Sequence, residues 1–243
     1  DTLTNIDNPV VIQNEGPTGI SAGYTDEATG KTYKFNVNSQ TLLGCSFNPE
    51  LAYQWGLVEG NSCLWVERYD LWGSGLTLNR TPYNGRNYEY ISEDPMLTNV
   101  IGREVIQGCS DKGIINGPKH MGFNDQEINR SGVAVFMNEQ KARELELRNL
   151  QQAFEGNGKP ASFEGDATKD NTYTSGARGV MTSYNRHGAV AASANVATMV
   201  NILQGEWGFH GYNVTDFTGV SLKAAPKESL MAGTTNFCGF GAS

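Results

Sequence analysis

The chain has 243 residues, 38% of them hydrophobic and 18% charged, and a net charge of −8. That length supports one sizeable core, and the composition is globular rather than disordered. The acidity argues against nucleic acid and anionic membranes as partners, and no run is long enough to cross a bilayer.

In chain order, the first expected strand is Pro9–Gln13. A helix should start at Asn48-Pro49-Glu50, where a capping side chain precedes proline and an acid at the positive helix end. Leu51, Ala52, Trp55 and Val58 follow at helical spacing. A strand is expected at Gly75–Asn79. Asp94-Pro95 then repeats the starting device ahead of Leu97, Val100, Ile101 and Val105. Gly113–Gly117 reads as a strand, and Asn138 opens a helical segment with Leu147, Leu150 and Phe154 on one face. Residues 156–176 are polar and read as an exposed insertion. Gly179–Ser183 is a strand, Ser193 starts a helix carrying Val196, Met199, Val200 and Leu203, and Tyr212–Thr215 and Thr234–Cys238 are strands.

Strands alternating with helices predict an α/β protein with a parallel sheet. At this length the expectation is one (β/α)8 TIM-type barrel over residues 1–243, irregular or incomplete at its N-terminal strands. No GxGxxG follows a strand, which argues against a dinucleotide fold and its cofactor. Cys45, Cys63, Cys109 and Cys238 show no metal-binding spacing, so no metal site is expected, and buried free thiols are. Unpatterned cysteines lean towards the cytoplasm and are compatible with secretion.

The loops after these strands are rich in functional groups. They carry Glu15, then Arg86 and Glu89, then Lys119-His120 with Asn124, Asp125, Gln126, Glu127 and Arg130, then Tyr184-Asn185, then Asp216. In a barrel all of them converge at one end. Each has an ordinary reading beside the functional one. Asp216 can cap a helix or pair with a cation. Lys119-His120 can be a surface pair. Arg86 with Glu89, and Glu127 with Arg130, can be loop salt bridges. His187 and His210 have no partner near them in sequence and read as structural or exposed. Together, however, Glu15, Arg86, Lys119, His120, Tyr184 and Asp216 suit a sugar pocket, because sugar hydroxyls both donate and accept. Asp216 could attack an anomeric carbon, with Lys119 and Arg86 keeping it ionised.

Those residues also carry a resemblance. Arg80–Pro95, RTPYNGRNYEYISEDP, resembles the RxPxxGRNxEYxSEDP loop of family 3 glycoside hydrolases of the β-glucosidase type. KHMGFNDQEINR from Lys119 resembles that family's KHF…NxQE…R, and MTSYN from Met181 matches its MTSYN segment. Glu206–Gly211 with Val214–Asp216 resembles EWGFxGxVxSDW, and EGPTG from Glu15 resembles DGPxG. The match runs from about residue 13 to the C-terminus, in the family's order.

The resemblance implies a retaining mechanism with Asp216 as the nucleophile of a covalent glycosyl–enzyme intermediate. It implies that Arg86, Lys119 and His120 bind hydroxyls of the non-reducing-end sugar and that Tyr184 lies beside the nucleophile. Glu15 stands where the family has Asp, which moves the carboxylate by about 1.5 Å, so the sugar preference does not carry over at that position. Thr215 and Phe217 replace Ser and Trp. In such enzymes the acid/base is a Glu on a C-terminal α/β sandwich domain, which is therefore an expected partner; the branch that uses a barrel-loop His has a KHFPGHG…DSH pattern absent here. The 243 residues are thus expected to be the barrel portion of a longer β-glucosidase, weak or inactive alone, since proton transfer of this kind is worth about 100- to 10,000-fold. The rival expectations are a β-xylosidase of the same family and a non-catalytic carbohydrate-binding barrel.

Overall fold

A computed structural model describes residues 12–156, 176–217 and 226–238. The strands are, in order, β1 (Gln13–Glu15), β2 (Tyr24–Thr25), β3 (Thr32–Tyr33), β4 (Asp70–Trp72), β5 (Ile115–Asn116), β6 (Lys119–Met121), β7 (Ala134–Val135), β8 (Gly179–Thr182), β9 (Arg186–His187), β10 (Val190–Ala191) and β11 (Tyr212–Val214). The α-helices include α1 (Gln40–Gly44), α2 (Pro49–Trp65), α3 (Pro95–Asp111), α4 (Glu139–Lys141) and α5 (Arg148–Glu155).

Parallel pairing runs β1–β4–β5 and β6–β8–β11. A bridge from Gly75 to Lys119 links the two groups, and Val214 bridges on to Asn236, again in parallel. The result is an arc in chain order. Among the described residues this arc is open rather than a closed ring. Both faces of β8 are buried: Val180 packs into the large helix-side core, while Met181 joins Trp72 and Val214 on the other face. Two covered faces are what a parallel sheet flanked by crossover helices requires.

The helix starts form as local chemistry dictates. Asn48 Oδ1 accepts from Leu51 N at 3.1 Å, and Asp94 Oδ1 accepts from Leu97 N at 2.7 Å. Gly113, at φ 78°, ends the chain's turn out of α3, a backbone conformation that glycine adopts without strain. Helices α2 and α3 pack very closely, because a Cβ on Gly56 would lie 2.1 Å from Val105 O and one on Gly108 2.3 Å from Tyr53 O.

Several sequence expectations are corrected. The strand lies at Asp70–Trp72, not Gly75–Asn79, of which only Gly75 forms a bridge. Thr234–Cys238 contributes the single bridge at Asn236. Lys119 and His120 sit in a strand rather than a loop. Ser193 does not cap the next helix. Asn195 does, accepting from Thr198 N at 3.0 Å, while Ser193 Oγ pairs with Ser229 Oγ at 3.0 Å. That helix, Ala197–Glu206, has the wide π-type turn, with Trp207 N bonding Ile202 O at 2.9 Å. Cys63 and Cys109 are buried free thiols as expected, but Cys45 is exposed. The expected insertion at 156–176 falls outside the described residues except at its two ends, as do Pro9, Val10 and Val11 of the first expected strand. No described helix is long and apolar enough to cross a membrane.

Candidate active site

The carboxyl ends of the strands gather the six residues singled out from sequence into one network. Asp216 follows β11 and is largely buried. Its Oδ2 lies 3.2 Å from His120 Nε2, and its Oδ1 accepts from Phe217 N at 2.8 Å. His120 sits on β6 and is also in reach of Arg86 Nη1, at 3.4 Å. Lys119, its neighbour on the strand, is ion-paired with Glu15 at the end of β1 and stands 4.0 Å from Glu89. Neither Lys119 nor His120 is a surface residue, since they are 1% and 2% exposed.

Arg86 is held by its own loop. Its Nε and Nη2 donate to the two oxygens of Glu89 at 3.0 and 2.6 Å, and Nη1 is 3.8 Å from Glu127. The loop in turn is fixed from outside. The Thr41 hydroxyl of α1 reaches Asn87 O and Tyr90 O, both at 2.8 Å, and Tyr90 is fully buried. The expected salt bridge between Glu127 and Arg130 forms at 2.8 Å, but Arg130 also lies 4.4 Å over the Tyr184 ring, so it borders the site. His187 is buried between Thr198 and Gly122 O, and His210 is exposed, as the sequence indicated.

Electrostatics follow from this geometry. Burial alone would raise the Asp216 carboxyl, but the His120 hydrogen bond, the Phe217 N–H and the Lys119 charge outweigh it and hold the group well below the usual carboxylate range. Burial lowers Lys119 to about 8, with Asp216 pulling the other way. His120 is pushed down by burial and by Arg86 and Lys119 against the opposing Asp216, so it is neutral at neutral pH. Burial raises the Tyr184 phenol, and the Asp216 charge raises it further. Glu127 is raised by burial despite Arg86 and Arg130. The arrangement can therefore hold one ionised carboxylate among N–H and cationic donors beside a neutral imidazole and a neutral phenol.

Sequence reasoning gave Glu89, Glu127 and Arg130 only pairing roles and overlooked Asp70 entirely. Asp70 is fully buried on β4 and hydrogen-bonded by the Tyr212 hydroxyl. Asp70 follows Glu67-Arg68-Tyr69, so nothing local marked it as a buried acid. No group of three or more metal-ligating residues occurs among the described residues.

No family model matches the chain. Curated relatives do. A probable beta-glucosidase J of Aspergillus fumigatus is 30% identical over 240 residues, which is 95% of this chain and 25% of the relative. Beta-glucosidase BoGH3A of Bacteroides ovatus is 30% identical over 216 residues, 86% of this chain and 26% of the relative. Among solved structures, beta-glucosidase 3B from Thermotoga neapolitana in complex with glycerol superposes with a TM-score of 0.85 at 26% identity, covering 98% of this chain and 31% of that one. Its complex with glucose superposes at 0.82 with 26% identity, over 95% of this chain and 29% of that one.

By fold and sequence the chain is similar to glycoside hydrolases. More narrowly, nearly its whole length is similar to a segment of family 3 β-glucosidases. It spans about a quarter of the length of the curated relatives it matches.

Proposed function

We propose that this chain is the (β/α)8 barrel portion of a retaining β-glycosidase that removes terminal non-reducing β-D-glucosyl residues. The observation that carries this is the setting of Asp216. Its carboxylate is ionised, oriented by His120 and the Phe217 N–H, and ringed by the hydroxyl-binding groups Arg86, Lys119 and Tyr184. An Asp216 oxygen forms a bond to the anomeric carbon as the bond from that carbon to the leaving oxygen breaks. Water then releases the sugar from Asp216. Arg86, Lys119, His120 and Glu15 hold sugar hydroxyls, and Tyr184 flanks the nucleophile. The family relationship, and a relative solved with glucose, support this assignment.

The leaving oxygen needs a proton. Glu127, with its raised pKa, is held by Arg130 and Arg86, and Glu89 is spent on Arg86. We therefore assign the acid/base role to a Glu on a C-terminal α/β sandwich domain of the same enzyme. The test uses the intact protein and an aryl 2-deoxy-2-fluoro-β-glucoside with a good leaving group. Peptide mass spectrometry should find one fluoroglucosyl adduct, on Asp216. Sugar binding without any adduct would instead make the chain a carbohydrate-binding barrel.

The rival within the family is a β-xylosidase. Glu15, where the family has an aspartate, is paired with Lys119 at the sugar-binding end. Matched aryl glucoside and xyloside kinetics separate the two: a higher kcat/KM on xyloside assigns the pentose.

A further inference from the structure

Asn124 lies on the turn after β6, beside the sugar-binding residues but without a place among them. It is 2% exposed, and its Nδ2 lies 3.2 Å from His120 Nδ1. Its Oδ1 is buried with no partner. An amide nitrogen can only donate, so in this arrangement Nδ1 presents a lone pair. A neutral imidazole has a single N–H, which must then be on Nε2.

The opposite arrangement can be weighed. Turning the amide over would let Nδ1–H donate to Oδ1 and leave a lone pair on Nε2. That lone pair would face Asp216 Oδ2 at 3.2 Å, which is repulsive. Arg86 Nη1, which is not used on Glu89, could donate to it, but only at 3.4 Å, longer than the 3.0 and 2.6 Å bonds that Nε and Nη2 make to Glu89. Losing one long contact costs less than opposing a carboxylate to a lone pair. The imidazolium form is disfavoured as well. The charged groups that face His120 are Asp216, Arg86 and Lys119, two of them cations, and the site is fully buried.

The turn that carries Asn124 is itself fixed. Gly122 and Phe123 adopt φ of 82° and 61°. Gly122 O accepts from the Ser183 hydroxyl at 3.0 Å and from His187 Nε2 at 3.2 Å. Phe123 meets the His187 ring edge-on at 4.4 Å. Asn124 therefore has little freedom to leave His120.

We propose that Asn124 is a positioning residue that fixes the neutral Nε2–H tautomer of His120, so that His120 donates to Asp216 Oδ2. The tautomer stands independently of the reaction. Its effect on catalysis rests on Asp216 being the nucleophile.

The test is a two-bond ¹H–¹⁵N spectrum of the ¹⁵N-labelled protein at neutral pH. There are three histidines, and the His120 signals are those missing in His120→Gln. The expected result is an Nε2–H ring for His120. Asn124→Asp, isosteric but able only to accept, should move the proton to Nδ1 or yield an imidazolium whose titration rises by at least about one unit. In the intact protein the same variant should slow fluoroglucosyl labelling of Asp216 about tenfold or more and shift the acid limb of the labelling profile, as a merely structural role would not. An Nδ1–H ring or an imidazolium in the wild type overturns the proposal, whether or not the variant folds. So does an unchanged His120 spectrum in Asn124→Asp. Absence of any adduct on Asp216 with the expected tautomer in place counts against the glycosidase reading alone.

Discussion

Two buried carboxyl groups in this molecule are in opposite states. Asp216, at the carboxyl ends of the strands, is held ionised by His120, the Phe217 N–H and Lys119. Glu59, in the tight seam between α2 and α3, is fully buried beside Cys63 and Cys109, with bonds from Trp55 Nε1 at 3.0 Å and Cys109 Sγ at 3.9 Å. Burial raises Glu59 to about 8, and the bonds from Trp55 and Cys109 offset only part of it. Asp70 lies between the extremes. Burial takes it to about 6, with the Tyr212 and Gln13 hydrogen bonds opposing. Burial is common to all three. What separates them is whether the surroundings deliver positive charge, and of the three only Asp216 receives it, from Lys119.

The largest effect expected from breaking this contrast is at Asp216. Asp216→Asn keeps the shape and removes the charge, and kcat of the intact protein on an aryl β-glucoside should fall at least about 10⁴-fold. Retention within tenfold would remove Asp216 from the chemistry.

The next largest is at Glu59. Its folded pKa, about 8, lies above the unfolded value of 4.5. Between those values the unfolded state has lost a proton that the folded state keeps. Stability is therefore full below pH 4.5 and declines as pH rises to about 8. The total is on the order of 5 kcal/mol. Glu59→Gln should flatten this decline in urea unfolding midpoints measured from pH 5 to 8, and an equally steep decline in the variant would show that the group is not protonated in the fold. Asp70→Asn should act in the same direction over a lower window, from 3.8 to about 6, by about 2 to 3 kcal/mol.

The smallest effect sharpens the ionised side. Lys119→Met removes one cation from the neighbourhood of Asp216. The acid limb of the kcat profile should move up by about one unit, roughly tenfold in rate on that limb. A limb that stays in place would assign the low carboxyl pKa to His120 and Phe217 alone.

How much of this was written locally in the chain differs from feature to feature. The starts of α2 and α3 were readable because a cap is made by residues three apart: Asn48 with Leu51, and Asp94 with Leu97. The site residues were readable as polar runs after strands, and their convergence followed once the strands were parallel. Strand β4 was not readable. It has three residues and opens on Asp70, whose hydroxyl partner Tyr212 lies 142 positions away. Lys119 and His120 looked like loop residues because their polar groups are met by Glu15 and Asp216 rather than by neighbours. Glu59 was silent for a similar reason. It sits one turn beyond Trp55 on α2, and only the close approach of α3 buries it.

The arc of strands follows the order of the chain, each addition pairing with a segment made earlier, and β6 bridging back to Gly75 just past β4. A ribosome can thus lay the sheet down one strand at a time, with each addition finding its neighbour already made. The Asp216 segment comes late in that sequence, after Arg86, Lys119 and His120 have been synthesised. At bacterial-to-eukaryotic synthesis speeds, Asp70 waits on the order of 10 s for Tyr212. The hydroxyl that bonds the buried Asp70 and the carboxylate at the centre of the site are thus delivered by the same short stretch of chain.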